Sequence, residues 1–238
     1  MIYTKEGMVG GSVIDTNANL SVIGTFQIVE DAITELMGKL KIDGITSKKL
    51  YNAMMVFTKN RVKFLKSLAW GESYCVESFV SFISLAKINI DTAIKNNSGE
   101  IVAYSKVEIC ALDLDTGRIR KITTVGVDES IEKESSQIQT DFTKYEDLEM
   151  PKVESAVVRS TNIDLCHHCN NVEYVRFLLN TYSVEEMEKC PIKEFEICYA
   201  NQSFEGDTLD IFKTQNQSKD IMMIRKEDKV IIKCEILR

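Results

Sequence analysis

The sequence predicts an α+β protein of two tandem units, each a strand, a long helix and four further strands. Two helical stripes, the runs of β-forming residues that follow each of them, and the repetition of that order carry the prediction. In the first half, Phe26, Val29, Ala32, Ile33, Leu36, Met37 and Leu40 recur at three- and four-residue spacing. That period lays one apolar stripe along a helix over residues 25–40, with Gly38 weakening its last turn. Extended runs rich in β-formers follow at 52–65, 73–83, 85–95 and 101–114, the last bounded by the NNSG and DTG turns.

The second half repeats the order. A run at 152–163 leads to a helix from about Asn171, with Val172, Val175, Leu178, Leu179 and Tyr182 on its stripe. Strand-like runs at 193–203, 207–214, 219–225 and 229–237 come next, separated by EGD, QNQS and KED turns. A helix on one face of an antiparallel sheet buries both amphipathic surfaces at once. Two such β-α-β4 units joined edge to edge give a continuous antiparallel sheet with two long central helices, a double hot-dog; two unrelated α+β domains are the alternative. The units are expected at 1–125 and 151–238, with the acidic, polar stretch 126–150 as a linker.

At 238 residues, 44% of them apolar, the chain is long enough to bury a core without staples. No stretch approaches the roughly 18–20 apolar residues of a membrane helix, and the start MIYTKEGMVGG lacks the basic and apolar regions of a signal peptide. A cytoplasmic address without membrane partner is therefore expected. Seven cysteines, an odd number, sit mostly in strand-like runs (Cys75, Cys110, Cys198, Cys234), where a reduced thiol acts as a small hydrophobe. A net charge of −7 argues against a nucleic-acid partner.

Both histidines of the protein fall in one run, DLCHHCNNVEY at 164–174. Histidine titrates near neutrality and serves as a general base, and a nearby carboxylate such as Asp164 can orient the ring. Asn170 is a strong N-cap residue, and Glu173 three positions on completes a capping-box pattern, so a helix should start here. The N–H groups of Asn170, Asn171 and Val172 at that positive helix end suit an oxyanion forming on a carbonyl. A capped helix with two surface histidines and no chemistry is the plain alternative.

The pattern Asp164-x-x-x-His168-x-Asn170-Asn171-x-x-Tyr174 resembles the D-x-N-x-H-V-N-N-x-x-Y signature of acyl-ACP thioesterases. Tyr199-Ala-Asn-Gln202-Ser203, followed by Glu-Gly206-Asp207, resembles that family's Tyr-x-x-Glu-Cys strand and Gly-Asp turn. The resemblance implies a double hot-dog whose second unit is catalytic and whose first shapes an acyl pocket. It implies hydrolysis of fatty acyl thioesters in fatty acid biosynthesis, with acyl carrier protein as partner and no cofactor or metal. Asp164 and His168 match the family's catalytic pair. Cys166 stands where the family has asparagine, Gln202 where it commonly has glutamate, and Ser203 where the plant enzymes have cysteine. Gln202 can orient a water but cannot act as a base. Cys166 and Gln202 are thus expected in the catalytic group, and Ser203 with Asn170, Asn171 and Val172 at the substrate.

Aligning the two helix starts sets Asp15, Asn17 and Asn19 opposite Asp164, Cys166 and His168, so only the second copy keeps a titratable base. Other readings of the same residues stay open: Cys166 as a nucleophile beside His168, an acyl-CoA thioesterase, and an acyl-binding module without turnover. Zinc held by Cys166-x-x-Cys169 lacks a second ligand pair. Lys59, Arg61 and Lys63 alternate with Val62 and Phe64, giving either a solvated edge strand guarded by lysine or a basic face for an acidic carrier protein. A homodimer is left open.

Overall fold

The chain starts in an edge strand, β1 (Ile2–Met8), where Tyr3 alone is buried, so sequence offered no alternation to read. Residues 1–145, 148–216 and 218–238 are described by this computed structural model; residues 146 and 147 of the expected linker and residue 217 of the QNQS turn lie outside them. The described chain divides into two units, Met1–Thr140 and Asp141–Arg238.

In the first unit, α1 (Val22–Leu40) begins at Ser21, whose hydroxyl accepts the Gly24 N–H at 2.9 Å, and ends on Lys41 in the left-handed region (φ 58°). Its buried face holds Phe26, Val29, Ala32, Ile33, Leu36 and Met37, the expected stripe, with Leu40 half-buried. A short helix that the stripe did not foretell, α2 (Gly44–Tyr51), follows; Asp43 caps it by accepting the Ile45 and Thr46 N–H groups at 3.0 Å. Strands β2 (Ala53–Phe64), β3 (Ser73–Ile83), β4 (Lys87–Asn96) and β5 (Ile101–Asp113) lie within two residues of the expected runs, and a short β6 (Ile119–Arg120) pairs with the end of β5. All pairings are antiparallel, in the order β1-β3-β4-β5-β2. One face of this sheet packs Val76, Val80, Ile88, Ile90, Ile94, Val107 and Ile109 against α1. Each such side chain contributes about 1.5–3 kcal/mol by leaving water.

The second unit repeats that plan with β7 (Lys152–Val157), α3 (Asn171–Leu179), α4 (Val184–Lys189), β8 (Glu194–Tyr199), β9 (Thr208–Asn216), β10 (Lys219–Lys226) and β11 (Lys229–Leu237). Its pairings are antiparallel in the order β7-β9-β10-β11-β8, the first unit's order strand for strand. The helix differs: α3 has 9 residues against 19 in α1. Tyr182, placed on its stripe by sequence, lies beyond the helix end and donates its hydroxyl to buried Asp220 at 2.7 Å.

Two stretches behave differently from their expectations. Residues 126–140 of the acidic stretch belong to the first unit. Val127 and Ile138 are buried there, and Ser136 and Tyr104 both donate to Asp91, a fully buried carboxylate on β4 whose pKa burial raises. The basic run of β2 is not a solvated edge: Arg61 is buried and donates to Thr140 Oγ1, and Lys59 pairs at 3.6 Å with buried Glu108, which also pairs with Lys87. Cations neutralised in this way offer a carrier protein less field than their number suggests.

Candidate active site

The run 164–170 folds as a tight loop closed on itself. The Asp164 N–H donates to His168 O at 2.8 Å, and Ile163 and Cys169 bridge at its base. Asp164 Oδ1 accepts the Cys166 N–H at 2.7 Å and the His168 N–H at 3.2 Å. The hydrogen bonds of Asp164 thus go to main chain, and its action on the His168 ring is through its charge. Four residues turning this sharply need one left-handed position, and His167 takes it (φ 62°).

The first unit holds the same loop, bond for bond. Asp15 N–H donates to Asn19 O at 2.8 Å, and Asp15 Oδ1 accepts from Asn17 and Asn19 at 2.9 and 3.0 Å. Ala18 is left-handed (φ 56°), and Ile14 bridges Leu20. The alignment of Asp15, Asn17 and Asn19 with Asp164, Cys166 and His168 is therefore a structural equivalence. An aspartate that builds the same loop where no histidine follows is a scaffold residue first.

Behind the second loop, Asn170 caps α3 by accepting the Val172 N–H at 2.8 Å. The capping box does not close. Glu173 instead accepts from Asn162 Nδ2 at 2.8 Å and pairs with Arg176 Nε at 3.3 Å. Asn170 N–H donates to Asn162 O at 2.8 Å, so of the expected oxyanion donors only the Asn171 N–H has no acceptor among the described residues. Asn171 itself is half-buried, at the first turn of α3.

The loop after β8 comes against this entrance. Ser203 O accepts the Cys169 N–H at 2.9 Å. Ser203 is fully buried, its hydroxyl 2.7 Å from the Tyr174 hydroxyl, which also accepts the Ser203 N–H at 3.0 Å. A side chain so enclosed is not open to a substrate. Gln202 is exposed, and no hydrogen bond ties its side chain among the described residues. Phe204 sets its ring edge-on to His168, centroids 5.2 Å apart at 75°. Burial lowers the pKa of His168, against the opposing charge of Asp164, so the imidazole is neutral and free to accept a proton at pH 7. Cys166 is half-buried beside it; Cys169 is buried, its thiol pushed up to about 12, and is no thiolate.

Residues 145–236 match the family model of the acyl-ACP thioesterase C-terminal domain. The second unit is a domain of that family. The resemblance read from Asp164–Tyr174 and Tyr199–Ser203 thus names the family that the comparison finds. The whole chain shares its fold with an acyl-ACP thioesterase from Bacteroides thetaiotaomicron VPI-5482, at a TM-score of 0.88 and 16% identity over 99% of this chain and 97% of that one. The 12:0-ACP thioesterase from Umbellularia californica matches at 0.90 and 14% identity, over 99% and 96%. The fold is the double hot-dog. A search of curated protein sequences gives no match.

In this thioesterase domain, the structure brings Asp164, His168 and Asn170, the residues expected from sequence, together at the start of α3, and sets against them Phe204 and the Tyr174–Ser203 contact, which sequence did not foretell. A signal existed: where the second copy has Phe204, Tyr174 and Ser203, the turn and helix of the first have Ala69, Thr25 and Leu68. A cavity of about 370 Å³ in the first unit is lined by Met8, Val13, Gln27, Ile28, Asp31 and Tyr74. Asp31 and Gln27 make it a wet hollow rather than a seat for an alkyl chain.

Proposed function

We propose that the protein hydrolyses fatty acyl thioesters borne on acyl carrier protein, releasing the free fatty acid and the carrier thiol. Thioester hydrolysis goes with the family of the second unit; the acyl chain and the carrier are the further step. The observation that supports it most is that one of two helix entrances of the same backbone carries a half-buried, neutral imidazole, with the Asn171 N–H at the start of its helix left without an acceptor among the described residues. In this reading His168 takes a proton from water as the water attacks the thioester carbonyl. The Asn171 N–H holds the oxyanion of the tetrahedral intermediate. Collapse breaks the C–S bond, and the imidazolium returns its proton to the leaving thiolate. Asp164 fixes the loop and supplies a negative charge to the imidazolium. Gln202, exposed next to buried Ser203, orients the water in this reading.

Thiol release measured on carrier-linked acyl chains of several lengths, and on the matching coenzyme A esters, tests this. Turnover of the carrier esters that is lost in His168→Ala supports it. Turnover lost in Cys166→Ser but kept in Asp164→Asn would replace the water mechanism by a cysteine nucleophile. Tight acyl binding without thiol release in any substrate would leave an acyl-binding protein.

A further inference from the structure

The two entrances differ by more than a histidine. In the second unit, side chains join the β8–β9 loop to the helix entrance at two points, to α3 by the Tyr174–Ser203 hydroxyl pair and to the loop before it by the edge of Phe204 on His168. In the first unit the hydrogen bonds that join the corresponding loop run main chain to main chain among the described residues, through Leu20 N–H to Leu68 O at 2.7 Å and Trp70 N–H to Ala18 O at 2.8 Å, while the Leu68 side chain is buried in the core. Thr25, which replaces Tyr174, turns its hydroxyl back to Ser21 O, and Ala69 and Asn19 replace the aromatic–imidazole pair. The hydroxyl pair and the ring-on-imidazole contact are thus confined to the copy that has a base. They do not serve to form the loop, since the first copy forms it without them.

Phe204 is itself held firmly. Its N–H donates to Asp207 Oδ2 at 2.9 Å, Asp207 N–H returns to Phe204 O at 3.1 Å, and Gly206 supplies the left-handed position (φ 88°) of the turn. Asp207 Oδ1 pairs with Lys226 at 2.7 Å. The main chain that carries this ring is thus fixed by the turn's own hydrogen bonds, independently of the imidazole.

We propose that Phe204, held in place by Tyr174 and Ser203, is the positioning residue for His168, fixing its ring plane and covering it from water. This rests on His168 as base for its catalytic consequence, but not for its structural one. The charges acting on the ring are Asp164 and His167 of its own loop; the facing turn carries Glu205 and the Asp207–Lys226 pair. Phe204 adds no charge, so its removal acts through water alone.

The test is a proton NMR titration of the His168 ring in a His167→Gln background, which leaves one histidine. In Phe204→Ala the midpoint moves up toward the ordinary imidazole value, because the charged form regains water; in Phe204→Leu, which keeps the cover, it stays near the parent. Phe204 is 47% exposed, so neither substitution threatens the fold. Tyr174→Phe and Ser203→Ala each move the midpoint in the same direction, and the double variant moves it no further than the larger single one. In a parent that turns over substrate, Phe204→Ala also lowers kcat roughly ten- to a hundredfold with KM little changed. An unmoved midpoint in folded Phe204→Ala overturns the proposal. A parent without turnover would remove the proposed function and leave the titration result standing.

Discussion

The loops at Asp15–Leu20 and Asp164–Cys169 share a backbone, an aspartate cap and a left-handed residue, yet only one carries a histidine. The difference teaches which parts of the entrance make structure and which make function. The aspartate, present in both, is a structural necessity; His168, Tyr174, Ser203 and Phe204, present in one, are not.

The largest effect expected from breaking the comparison is on turnover. His168→Ala should lower kcat by about 10²–10⁴-fold, the range for loss of a general base, with an unchanged melting temperature. Asn19→His should restore nothing, because the first entrance lacks the facing ring. Thiol release rates for the two variants, measured side by side, check both statements. Activity surviving in His168→Ala would erase the distinction between the copies.

Next comes a packing effect specific to the first copy. Gly24 occupies the helix position of Glu173, and a Cβ there would meet Val13 O at 2.5 Å and Val13 Cβ at 2.8 Å. Neither the Val13 carbonyl nor its Cβ, the root of the side chain, can yield cheaply, so Gly24→Ala should destabilise by about 1–3 kcal/mol in denaturant melts. At Glu173 the helix already carries a Cβ, and Asn162, in place of Val13, donates its amide to the carboxylate at 2.8 Å. Glu173→Ala should cost less than Gly24→Ala, reversing the usual order for glycine and a charged residue.

The aspartates come third. Asp164→Ala and Asp15→Ala each remove an acceptor for two N–H groups, a loss comparable to a helix cap at about 1–2 kcal/mol, and less for exposed Asp15, where water takes over. The asparagine variants keep an acceptor and should be nearly as stable as the parent. They differ in one respect. The negative charge of Asp164 raises the His168 pKa against burial, so Asp164→Asn lets it fall further, and the acid limb of kcat/KM moves to lower pH. Asp15→Asn should leave that limb where it was.

Elements with a repeating apolar stripe or alternation were legible: α1, and the strands from β2 to β5 and β8 to β11, whose register the hydrophobic pattern fixes. Elements held by caps rather than burial were not. In α2 only Ser47 is buried, and its visible mark was Asp43 ahead of Ile45 and Thr46. The capping box expected at Asn170–Glu173 forms instead at Ser183–Glu186, opening α4, because Glu173 has better partners in Asn162 and Arg176. At the site, the residues consecutive in sequence were legible and those brought by another strand were not. Phe204 lies 36 residues from His168 along the chain, and only the pairing of Cys169 with Ser203 makes them neighbours. The burial of Ser203, expected at the substrate, was hidden for the same reason: sequence showed a hydroxyl on a motif strand but not the Tyr174 hydroxyl that encloses it.

The smallest effect sharpens the comparison most, because it isolates the backbone. Ala18 and His167 occupy the same left-handed position, at φ 56° and 62°. For an L-residue that region costs roughly 1–2 kcal/mol through crowding of Cβ against the carbonyl, and glycine escapes it, though glycine also has more freedom to lose on folding. Ala18→Gly should therefore stabilise by about 0.5–1 kcal/mol, visible as a shift in the urea midpoint at unchanged slope. Histidine tolerates this region better than alanine, so His167→Gly should gain less. If the two gains are equal, the loops are equivalent down to side-chain strain, and selection for chemistry has acted on the facing turn and the base while leaving the backbone as it stands in both copies. A gain at Ala18 with a loss at His167 would instead show that the exposed second histidine makes a contact of its own, and that the active copy is stabilised by more than the shared frame.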